Sequence, residues 1–271
     1  YYVGSTGQSS QTECATGTYQ ASTGQSSCTD ASAGYYVDST AQTTQTACLA
    51  GTYNANTGSI TSSDCLDADA GNYVGSIGQS SQTACAAGTY QASTGQSSCT
   101  DASAGYYVPT TGQTTQTECA AGTYQASTGQ SACTDASAGY YVDSTAQTAQ
   151  TACIAGTYNA NTASTTSSDC LDADAGHYVG SIGQSSQTEC AAGTYQSATG
   201  QSSCIDADAG NYVGSTGQTT QTECAAGTYQ ASTGQSSCTD ASAGYYVDST
   251  AQTTQTECAA GTYQASTGQS A

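Results

Sequence analysis

The chain has 271 residues, 36% of them hydrophobic, with 20 Asp plus Glu, no Lys or Arg, and a net charge of −20. Phe, Met and Trp are absent and 21 Tyr supply the aromatic surface, which leaves little bulky material for a conventional core. Without a strong base, the sequence offers nothing to grip nucleic-acid phosphates or anionic lipid headgroups, and no run of about 18 apolar residues offers a membrane span.

From the N-terminus, cysteines stand at 14, 28, 48, 65, 85, 99, 119, 133, 153, 170, 190, 204, 224, 238 and 258. The spacing alternates between 20 residues and either 14 or 17, the signature of a tandem array. A finer period lies beneath it. Ala-Gly-x-Tyr recurs with its tyrosines at Tyr19, Tyr36, Tyr53, Tyr73 and onward, mostly 17 apart, so the unit is a module of about 17 residues.

Two kinds of module alternate along one continuous array, residues 1–271, which reads as a fragment of a longer chain. One kind opens with Cys, at 14, 48, 85, 119, 153, 190, 224 and 258. The other opens with Ala, at 31, 68, 102, 136, 173, 207 and 241, and carries Gln where the closing Cys would stand, as in Ala102 and Gln116. If the 14- or 17-residue interval is the disulfide loop, the second kind lacks both halves of one bridge and leaves no orphan thiol. The predicted pairs are therefore Cys14–Cys28, Cys48–Cys65, Cys85–Cys99, Cys119–Cys133, Cys153–Cys170, Cys190–Cys204 and Cys224–Cys238. Bridges across the 20-residue intervals would overturn the module. Cys258 is left unpaired, which reads as truncation rather than as a reactive thiol.

Within each module, short β-favouring stretches such as Tyr35-Tyr36-Val37 lie between Ser/Thr/Gly turns, and no 3.6-residue stripe appears. The expected fold is a small disulfide-rich all-β or irregular repeat with little helix, stacked as an elongated rod. Tyr packing on Gly of the same or the next module is expected to supply most apolar burial, with stability set by nearest neighbours. The modules at Cys48 and Cys153 carry three extra residues and lie 105 apart.

The string Cys85-x-x-Gly88-x-Tyr90, closed at Cys99, resembles the first loop of tumour-necrosis-factor-receptor-type modules and the ephrin-receptor-like repeats. The resemblance spans essentially the whole chain. It implies a bridge from the Cys before Gly-x-Tyr to the next Cys, and it extends to tandem arrays in large microbial surface proteins. The family's Pro after Cys is missing here, its Cys-x-x-Cys partner is Ala31 and its equivalents, and its double-bridged ligand-binding modules have no counterpart.

No catalytic constellation is visible. His177 is the only His and replaces Asn72 and Asn211 of matching strings, so no triad or typical zinc site can be built on it. Asp67 and Asp69 form an Asp-x-Asp-x-Gly string, repeated at Asp172 and Asp174 and at Asp206 and Asp208. These are candidates for loose calcium binding, although the distal Glu of a calcium-binding helix–loop–helix is missing. No other cofactor is expected.

Dense Ser/Thr without an Asn-x-Ser/Thr sequon points to O-glycans, with Thr23, Thr40, Thr94 and Thr111 as candidate sites. The reading is a non-enzymatic extracellular or cell-surface structural protein, a stalk, fibril or filament whose main partner is itself. The alternative is an adhesin or receptor-like spacer carrying a ligand domain elsewhere.

Overall fold

The computed structural model describes residues 1–270. Among them are fourteen two-stranded antiparallel sheets, each with strands of two residues, and two single-turn 3-10 helices, Ser62–Asp64 and Ser167–Asp169. Each sheet is one module. In the module opening at Cys85, Thr89 and Tyr90 pair with Asp101 and Thr100; in the next, Tyr106 and Tyr107 pair with Glu118 and Thr117. The expected hairpin repeat with almost no helix is therefore the observed fold.

Two residues per strand cannot stabilise a sheet alone. The modules hold because backbone groups outside the hairpins bond to neighbouring modules. Between the modules opening at Cys85 and Ala102 there are four such bonds. Ala102 N–H donates to Gly88 O (2.8 Å), Gly88 N–H to Val108 O (2.8 Å), Gln91 N–H to Gln113 O (3.1 Å) and Gly112 N–H to Cys85 O (2.8 Å). The next junction repeats the set through Cys119, Gly105, Val108 and Gly129. Loop backbone that would otherwise be orphaned is thereby satisfied.

The chain divides into two compact units. The first comprises Tyr1–Ala120, Tyr124–Thr134 and Thr145–Thr148; the second comprises Ala121–Thr123, Asp135–Ser144 and Ala149 onward. The pattern just described lies in the first. In the second, Ala207 N–H donates to Gly193 O, Gly193 N–H to Val213 O and Gly217 N–H to Cys190 O, the same bonds at 2.7–2.9 Å.

The core is thin and is not made of tyrosine. The fully buried apolar side chains are the opening Cys of bridged modules, the opening Ala of unbridged modules, and Val37, Val74, Val108, Val142, Val179, Val213 and Val247. The strand tyrosines are half-buried. Small side chains take the interior because successive backbones approach too closely there for a ring.

In the long modules the three extra residues fold into the 3-10 turn. Asp64 Oδ2 accepts from the N–H of Ile60 (2.9 Å) and Thr61 (3.0 Å). Buried Asn54 donates to Ser59 Oγ (2.7 Å) and Tyr35 O (3.3 Å) and accepts from Asn56 N–H (3.0 Å). Asn159 repeats this arrangement with Ser164, Tyr140 and Asn161.

Candidate functional site: the module interface

The residues with the most specific surroundings are those that join one module to another. The first group is the glycine three residues after each module opening. Gly88 has φ +88°, a region that disfavours residues with a Cβ. A methyl there would collide with the carbonyl of Gly129, which lies two modules downstream. Gly193 stands in the same relation to Gly234 in the second unit. Bridged modules thus touch bridged modules, and unbridged touch unbridged, as Gly71 meets Gly112. The expected nearest-neighbour array is corrected: modules contact both the next and the next but one. Tyr–Gly contacts occur within a module, as Tyr73 lies against Gly75 and Tyr178 against Gly180, and also across two modules, as the Tyr35 ring lies against Gly78 and the Tyr140 ring against Gly183.

The second group is the set of hairpin staples. In bridged modules these are disulfides. Cys14–Cys28, Cys85–Cys99, Cys119–Cys133, Cys190–Cys204 and Cys224–Cys238 close 14-residue intervals; Cys48–Cys65 and Cys153–Cys170 close 17. Cys258 is free and half-buried. In unbridged modules the Gln in the closing position replaces the bridge with a hydrogen bond. Gln116 Oε1 accepts from Ser103 N–H (2.7 Å), and Gln45, Gln150 and Gln255 do the same with Ser32, Ser137 and Ser242. The paired Ala and Gln positions are visible in the sequence, but their bonding is not.

Where Asp replaces that Ser, the Gln amide makes two bonds. Gln82 accepts from Asp69 N–H and donates to Asp69 Oδ2, both at 2.6 Å. Gln187 with Asp174 and Gln221 with Asp208 repeat this arrangement. Asp67, by contrast, ends its own hairpin and lies against Gly95, two modules away; Asp172 lies against Gly200 and Asp206 against Gly234. The two carboxylates of each Asp-x-Asp string therefore serve different neighbours. Among the described residues no group of three or more His, Cys, Asp and Glu is placed to hold a metal ion.

His177 pairs across its hairpin with Glu189, with Nε2 4.0 Å from Oε1, and Nδ1 lies 3.4 Å from Ala175 O. Asn72 and Asn211 make the corresponding contacts to Ala70 and Ala209. Thr23, Thr40, Thr94 and Thr111 are all exposed at loop tips. Tyr1, exposed, donates to Glu13 at 3.0 Å, and that hydrogen bond and charge raise its phenol above the ordinary value.

No family model matches the chain, and no curated protein matches it. What is established is the tandem disulfide-bearing module. Seven disulfides suit an oxidising environment, secreted or at a surface. Among the described residues no helix is long and apolar enough to cross a membrane.

Proposed function

We propose that this chain is a non-enzymatic extracellular structural protein, a stalk, surface fibril or filament. One observation carries the reading: the same four backbone bonds recur from junction to junction, so the modules' specific chemistry is directed at other modules. Such an array extends by repetition and needs no unique site. O-glycans at the exposed Thr23, Thr40, Thr94 and Thr111, and loosely held calcium near the Asp-x-Asp strings, belong to the same proposal. The likeness to ephrin-receptor-like repeats supports a module used outside the cell and names no ligand.

The test is labelling of native source cells with antibody to this chain under the electron microscope, combined with intact mass before and after O-deglycosylation. Label along surface filaments, with excess mass on Ser/Thr peptides, is the expected result. Label confined to a reducing compartment would overturn the proposal.

A further inference from the structure

Two modules depart from the rest in a concerted way, and both are the long ones. In the short bridged modules the residue before the opening Cys is Glu, except Ala84 before Cys85, and at Cys190 and Cys224 that Glu is bonded by a Thr at the tip of the following unbridged module. Thr216 donates to Glu189 Oε2 (2.9 Å), and Thr250 donates to Glu223 Oε2 (3.0 Å). At the long modules that polar pair becomes Ala47 with Ile77 and Ala152 with Ile182. The residue after the opening Cys changes with them, from Ala191 or Ala225 to Leu49 or Ile154. These side chains face solvent: Leu49 is 73% exposed, Ile77 62%, Ile154 69% and Ile182 66%. They lie close to one another, because Gly78 N–H bonds Cys48 O and Gly183 N–H bonds Cys153 O, both at 2.9 Å.

A groove adjoins each ledge. One, of about 230 Å³, lies between Tyr36, Ala47, Leu49 and Ser62 of the 3-10 turn. Its counterpart, of about 160 Å³, lies between Tyr141, Ala152, Ile154 and Ser167. The equivalent grooves beside Cys190 and Cys224 carry Glu189 and Glu223 and open to about 480 and 490 Å³. A groove below about 300 Å³ is too small for a typical small-molecule site but fits one side chain.

We infer that the Ala47–Leu49–Ile77 ledge and its copy Ala152–Ile154–Ile182 are two docking sites for an apolar side chain on a Lys/Arg-bearing segment of another protein. Charge selects the occupant. Groove-lining Thr52 and Thr157 pair with Asp67 and Asp172 across their hairpins, and the surrounding chain has charge −20 without one Lys or Arg. A second copy brings only further negative charge and is repelled. A basic segment is drawn in by that field and held by burial of the exposed aliphatic groups.

The test titrates the 271-residue chain with the peptide Lys-Lys-Leu-Leu-Lys-Lys, by calorimetry at physiological salt. The comparison chain carries Leu49→Ala, Ile77→Thr, Ile154→Ala and Ile182→Thr. Each is a residue the sister modules already carry, so the fold is retained. Two sites per chain and a loss of about tenfold in the comparison chain are expected, as apolar burial requires. A Lys-Lys-Ser-Ser-Lys-Lys peptide should bind about as weakly. Equal binding by both chains or both peptides, no binding, or Leu49-dependent self-association without peptide would each overturn the inference.

Discussion

At the residue scale, the decisive positions are those where a single Cβ matters. Gly88→Ala would place a methyl against the Gly129 carbonyl and force φ +88° on a residue with a Cβ. Left-handed backbone alone costs about 1–2 kcal/mol for an L-residue, so we expect a loss above 2 kcal/mol, read as faster amide exchange in the surrounding modules. The reverse change exists in nature's own pattern. Ala146 holds φ +57° at a turn position occupied by glycines such as Gly112 (φ +73°) elsewhere. Ala146→Gly should therefore stabilise its turn by about 0.5–1 kcal/mol, and slower exchange of the Ala146 amide on Cys119 would register it. The glutamine staples differ in bond count. Gln116→Ala should cost about 1 kcal/mol and Gln82→Ala roughly twice that, since Gln82 also holds the Asp69 carboxylate. Equal costs would show that the second bond contributes nothing.

At the element scale, a hairpin of two-residue strands depends on its staple and its junctions. Removing Cys85–Cys99 opens a 15-residue loop, a cost of roughly 3 kcal/mol in the chain-entropy account. The alternation of module types suggests a softer replacement. Cys85→Ala with Cys99→Gln rebuilds the Ala and Gln pattern of the neighbouring module and should recover about 1 kcal/mol over Cys85→Ala with Cys99→Ala. Amide exchange at Ala102, bonded to Gly88, is the appropriate readout, because an array of modules need not unfold in one step.

At the scale of the whole molecule, charge sets the response to salt. All 20 formal charges from Asp and Glu have one sign and no Lys or Arg opposes them, so screening mainly removes repulsion. Raising ionic strength from about 0.01 to 0.15 M shortens the screening length from about 30 to 8 Å. Thermal stability should rise. A falling Tm would show that attractive electrostatics, absent from this composition, dominate after all.

The period of about 17, the hairpin character and the alternation of bridged and unbridged modules were determined by the sequence alone. Each is a local property: turn residues, strand formers and cysteine spacing act within one loop closure. The glycine spacing was visible too, but its purpose was not. Which backbone arrives at Gly88 depends on how the chain coils back, and only the tertiary structure brings Gly129, 41 residues on, against it. The same is true of the core. Tyrosine is the largest apolar residue available and so the natural interior by composition, yet the fully buried apolar positions are held by Val, Ala and Cys while the strand tyrosines stay half-buried. Leu49 and Ile77 are 28 positions apart in the sequence; the bond from Gly78 to Cys48 makes them neighbours and turns two aliphatic residues into one ledge.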